Sequence, residues 1–161
     1  MSNTQKVVRD TPLLEITLRK YEKPVNLTGR NLLKKLLFSV GLLQPGDSRD
    51  VIVDVLYVLL KAKNTQNAQQ NLLSSDDIVK QVIEYRKQEN LQLKGIAASN
   101  IRRQIKRLRD LYLVEKITNN YRITELAKLH DTFEEKVEKF MLVSMMSRVK
   151  EYMRAVDSEF S

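Results

Sequence analysis

The sequence predicts a mainly α fold with one small β-hairpin, and three observations carry that expectation. Four Gly and three Pro in 161 residues leave long stretches unbroken. Apolar residues recur at helical steps of three and four through most of the chain. Period-two alternation is confined to a short N-terminal stretch and to residues 113–124, where it flanks a turn. The expected organisation is a strand-helix unit at 1–46, a domain at 47–124 and a long helix at 125–161. That length suits one domain with a real core plus an appendage.

Taken in order, "TPLLEITLRKYEKP" at 11–24 sets Leu14, Ile16 and Leu18 against Glu15, Thr17 and Arg19. This is the pattern of a half-buried strand, ended by Pro24. Next, "TGRNLLKKLLFSVGLL" offers Thr28 as a helix cap, with Leu32, Leu33, Leu36, Leu37 and Val40 on one face. "QPGD" stops it. In "DSRDVIVDVLYVLLKAKN", Asp47 or Ser48 is placed to cap and Asp50 favours the first turn through the helix dipole. Val51, Val55, Val58 and Leu59, widened by Ile52, Leu56 and Leu60, predict a helix at the centre of a core. The polar "KNTQNAQQNLL" reads as a loop. Ser74 with Asp77 three residues later resembles a capping box, opening a helix whose buried stripe is Ile78, Val79, Val82 and Ile83.

The third helix of this set, within "SNIRRQIKRLRDLYLVEK" at 99–116, is two-faced. Ile101, Ile105 and Leu108 share one side. Arg102, Arg103, Lys106, Arg107 and Arg109 spread over the other. The segment 94–124 holds eight basic residues against Asp110 and Glu115, so +6 of the chain's +8 sits there. Basicity so local suits a binding face for an anion. "LVEKITNNYRIT" then reads as a hairpin with its turn through Asn119 and Asn120. From Glu125 to about Ser158 no Gly or Pro interrupts a stripe of Leu126, Leu129, Phe133, Val137, Met141, Met145, Val149, Tyr152 and Val156. A helix of that length spans about 50 Å, more than a small domain. A second copy of the chain is the expected cover, by helix packing rather than a regular left-handed coiled coil.

Helix, helix, basic helix, hairpin is the order of a winged helix-turn-helix. "IAASNIRRQIKRLRDLYLVEKITNNYRIT" resembles the recognition helix and wing of archaeal and bacterial winged-helix transcription regulators. Ser99, Ile101, Arg102, Ile105, Leu108 and "LVEK" at 113–116 carry the likeness, which covers roughly residues 47–124. Tyr112 departs from it, standing where the family usually has the Gly that ends the helix. The C-terminal helix is similar to the dimerisation helix of several such regulators. The resemblance implies a homodimer on double-stranded DNA, with the basic helix in the major groove and the hairpin as wing. Ser99, Asn100, Arg102, Arg103 and Lys106 would then face the groove. Arg107 and Arg109 would lie nearer phosphates, and Lys116, Asn119, Asn120 and Arg122 would serve the wing.

Other readings stand beside this one. A charged helical face is commonly just solvated. A winged-helix module binding RNA or an acidic protein is the alternative, because fold does not fix function. A membrane-surface role is disfavoured, since the basic helix has only a narrow apolar stripe without Trp or Phe. The absence of Cys excludes disulfides and thiolate chemistry. His130 is the sole histidine and is expected on a helix surface. No phosphate loop, nucleophile motif or metal spacing appears, so neither an enzyme nor a cofactor is expected. "MSNTQKVVRD" lacks the apolar core of a signal peptide, and the cytoplasm is the expected compartment.

Overall fold

The computed structural model describes residues 10–161 and is mainly helical, with a small three-stranded antiparallel sheet and a long C-terminal helix. Helix α1 (Gly29–Ser39) and helix α2 (Val51–Lys63) are followed by a 3₁₀ turn (Ala68–Asn71), strand β1 (Leu73–Ser74), helix α3 (Ser75–Gln88) and helix α4 (Ala98–Asp110). Strands β2 (Val114–Ile117) and β3 (Asn120–Ile123) form the hairpin. After a kink, helix α5 (Leu129–Thr132), a π-helical stretch (Phe133–Leu142) and helix α6 (Val143–Phe160) run on as one rod.

Helix α2 is buried nearly all round, with Val51, Ile52, Val53, Val55, Leu56, Val58, Leu59 and Ala62 in the core. Around it pack α1, α3 and α4. Leu37, Val40 and Leu43 bring the end of α1 into the same core as Ile78 and Val82 of α3 and Ile101, Ile105 and Leu108 of α4. The capping box that opens α3 forms as expected: Asp77 N–H donates to the Ser74 hydroxyl and Ser74 N–H to the Asp77 carboxylate.

Several expectations are corrected. Residues 11–24 form no strand. They are extended chain lying against the end of α1, with Leu14 and Leu18 about half exposed. Among the described residues, the only ladder-like bond there is Arg19 N–H to the Ser39 carbonyl, 2.8 Å. Arg19 also caps α1, its Nη1 donating to the Phe38 carbonyl at 3.0 Å and its Nη2 to Gln44 Oε1 at 2.6 Å. Gly41 (φ +73°) permits the approach, because a Cβ there would meet the Thr17 carbonyl oxygen at 2.5 Å. Thr28 occupies the cap position of α1 without a side-chain bond. Asp50, not Asp47 or Ser48, precedes α2, and its carboxylate is drawn away to arginines.

Asp54, fully buried, bonds Arg86 (3% exposed) and Arg30 Nε at 2.9 Å. Asp50 bonds Arg30 at 3.0 Å and Arg86 at 3.3 Å, and Arg86 Nε reaches the Gln92 carbonyl at 2.7 Å. Two carboxylates and two guanidiniums thus tie α1, α2, α3 and the segment before α4 together. Burial pushes the Asp50 pKa up, but hydrogen bonds and charge from Arg30 and Arg86 outweigh it and hold the carboxyl below its ordinary value.

The polar stretch before α3 contains β1, which adds a third strand. The sheet order is β1-β3-β2, with Leu73 opposite Tyr121 and Ser74 opposite Asn120. The C-terminal helix begins at Leu129 rather than Glu125. Leu126 lies in a 3₁₀ turn and Glu125 has φ +55°. The helix is wound as a π-helix over Phe133–Leu142. Leu129, Phe133, Val137, Met141 and Met145 step by four, which outruns an α turn of about 3.6 residues. The wider π turn offsets that drift and keeps all five against the core, Val137 at 0% and Met141 at 5% exposure.

Candidate nucleic-acid interface

Helix α4 is aimed by its apolar face. Ile101, Ile105 and Leu108 are essentially inaccessible, which turns Ser99, Arg102, Arg103, Lys106 and Arg109 to solvent. Its first turn is pinned from inside. Asn100 Nδ2 donates to the Gly95 carbonyl at 2.7 Å, and Asn100 Oδ1 accepts from Gln104 Nε2 at 3.1 Å. Asn100 is therefore committed to positioning the helix and is removed from the groove-facing set.

The cations differ in how free they are. Arg102, Arg103, Arg109 and Lys116 have no carboxylate partner among the described residues. Lys106 pairs with Asp110 one turn on at 3.1 Å, an exposed contact that another anion readily displaces. Arg107 is half-buried. It donates to Gln104 Oε1 at 2.9 Å and lines a cleft of about 340 Å³ shared with Glu15, Ile16 and Thr17, so it faces the N-terminal arm. Arg122 is neutralised on the sheet by Glu115 at 2.7 Å, which also accepts from Glu125 N–H at 2.8 Å. Its expected role at the wing backbone is weakened accordingly.

The hairpin turn is shifted by one residue from the expected place. Ile117 pairs with Asn120, so Thr118 and Asn119 make the turn and Asn120 belongs to β3. Thr118 takes the positive φ (+57°). Asn119 is exposed at the tip beside Ile117, itself 39% exposed. Tyr121 lies partly buried between Arg109 of α4 (5.9 Å) and Lys116 opposite it on β2 (5.8 Å), which braces the hairpin against the helix. At the end of α4, Tyr112 does what glycine would do. It adopts φ +64°, and its carbonyl accepts from the Thr124 hydroxyl.

Of the nine stripe residues expected to meet a second copy, Val137 and Met141 are spent on the chain's own core. Leu129 and Phe133 are partly so, and Leu126 is half-buried. Met145 is half-covered, while Val149 (51%), Tyr152 (70%) and Val156 (54%) stand in solvent on α6. His130 is exposed and bonds Asp131 at 3.2 Å. Among the described residues no helix is long and apolar enough to cross a membrane. The chain matches no family model, no curated protein and no solved structure.

Lys94, counted in the basic segment 94–124 but not assigned to the binding face, stands exposed just ahead of α4 and adds to its positive end. The Asp54–Arg86 pair, which fixes the helices behind α4, had one visible signal: a lone acid in the apolar run "VIVDVLYVLL".

Proposed function

We propose that this chain is a winged helix-turn-helix protein that binds duplex DNA as a homodimer and regulates transcription. Helix α4 enters the major groove, and the β2–β3 hairpin is the wing. The observation that carries the reading is the exposed face of Ser99, Arg102, Arg103 and Lys106, on which neither arginine has a carboxylate partner among the described residues. Unpaired guanidiniums read guanine edges bidentately and lose nothing by leaving a salt bridge. Arg109 and Lys116 flank this face at the height of the hairpin and serve phosphates.

Salt dependence of duplex binding tests it. Each phosphate contact contributes about 0.9 to the slope of log K against log salt. Arg102→Ala/Arg103→Ala/Lys106→Ala removes three cations from each protomer and is expected to weaken binding and flatten the slope, by up to about 2.7 per protomer where all three also neutralise phosphates. Its helix content should equal that of the wild type, because all three side chains are exposed. Equal slopes for the two proteins would move the contact off α4. Binding by neither would make the basic face a site for RNA or an acidic protein.

A further inference from the structure

Helix α6 carries no buried residue, yet its apolar side chains, Val143 and Ala155 apart, lie on one side. Measured around the axis from Val149 at about 100° per residue, Met145, Met146, Tyr152, Met153, Val156 and Phe160 all fall within about 60°. The charges flanking this stripe are ordered along the helix. On one flank Lys150 precedes Asp157. On the other, Arg148 precedes Glu159. Each flank is thus basic toward the domain and acidic toward the end.

Resting on the homodimer proposed above, we infer that two copies pair through α6 in antiparallel orientation, about a two-fold axis near Met153 and Arg154. That axis sets Lys150 level with Asp157 of the second copy and Arg148 level with its Glu159. Val149 then falls between Val156 and Phe160 of the second copy, and Met153 between its Tyr152 and Val156. In an antiparallel pair each flank meets its own counterpart, so both flanks match at one register. A parallel pair sets Arg148 and Lys150 against each other and Asp157 against Glu159, stacking like charges at both ends. Arg148 already bonds Glu151 at 2.6 Å within the helix, an exposed pair that a second carboxylate can join. The occupant is a second copy because the apolar face and its two charge flanks are complementary to themselves under this one rotation.

Single cysteines test it in a chain that has none of its own. Val149→Cys and Phe160→Cys, purified separately, mixed and oxidised, should give the mixed disulfide, with little of either homodisulfide. A Val149→Cys homodisulfide in preference would establish parallel pairing and overturn the inference. Sedimentation of the unmodified chain separates this from the underlying proposal. A dimer mass with no disulfide in any combination would leave the homodimer standing on another face and sink the α6 pairing. A monomer would sink both. Loss of DNA binding with the mixed disulfide intact would remove the regulator and keep the pairing. As a second arm, Arg148→Glu/Lys150→Glu should weaken dimerisation about tenfold or more, because four attractive contacts per dimer become like-charge ones. Adding Asp157→Lys/Glu159→Lys should restore it. Failure of that restoration counts against the register.

Discussion

Replacing Asp54 with alanine should cost about 3 kcal/mol of folding stability. The side chain is fully buried and accepts from both Arg86 and Arg30. Without it, Arg86 keeps only Asp50 at 3.3 Å and the Gln92 carbonyl, while remaining 3% exposed. Breaking a buried ion pair from one side costs about 3–5 kcal/mol. Asp50 shares the load, so the lower end applies. For a chain of this size each kcal/mol moves the melting temperature by roughly 2–4 °C, giving a fall of about 6–12 °C. Thermal and urea unfolding followed by far-UV circular dichroism at neutral pH reads it directly. The partner experiment is Asp54→Leu/Arg86→Met. It replaces the charges with apolar volume, leaves Arg30 to Asp50, and should recover most of the loss. A cost below about 1 kcal/mol for Asp54→Ala would refute the desolvation reasoning. So would a double variant no more stable than the single one.

Three further outcomes are expected. Asp50 has a folded pKa below its ordinary value, so its contribution is complete above the unfolded value near ~3.9 and is lost as pH falls through the folded value. Stability measured below pH ~4 should drop more steeply in the wild type than in Asp50→Asn. Gly41→Ala combines φ +73° with a clash at the Thr17 carbonyl, and should cost about 1–2 kcal/mol and loosen the arm. Amide exchange at Arg19, whose N–H bonds Ser39, should accelerate; unchanged protection would contradict the packing described. Tyr112→Gly relieves the left-handed backbone of an exposed residue and should raise stability by about 0.5–1 kcal/mol in urea titrations. A loss instead would mean that the ring's packing outweighs the strain.

Helices α1 to α4 and the β2–β3 hairpin were legible because each has a periodic apolar side facing one core, and α3 also its capping box. Strand β1 was not, since two residues carry no period and the ladder with β3 is long-range. The arm failed the other way: Leu14, Ile16 and Leu18 alternate, but among the described residues no strand edge lies beside them. Within the candidate region, Ser99, Arg102, Arg103 and Lys106 are exposed opposite the buried stripe, as their helical spacing implies. Asn100, Arg107 and Arg122 are residues of the same polarity whose partners lie on the preceding loop, in the same helix and on the neighbouring strand. Nothing in their local spacing tells a satisfied polar group from a free one. The stripe of the last helix was likewise one unbroken pattern in sequence, and only tertiary contact divides it after Met145.

That division makes the C-terminal helix a ruler with a fixed zero. Its first half is locked into the core through Val137 and Met141, so the exposed half has no freedom to swivel relative to α4. Each residue inserted between Met145 and Val149 would advance α6 by about 1.5 Å and rotate its apolar side by about 100°. A whole heptad would lengthen the arm by about 10 Å while turning it only about 20°. The chain therefore has a built-in means of changing how far the end of α6 stands from the core, by length alone, without touching a core residue.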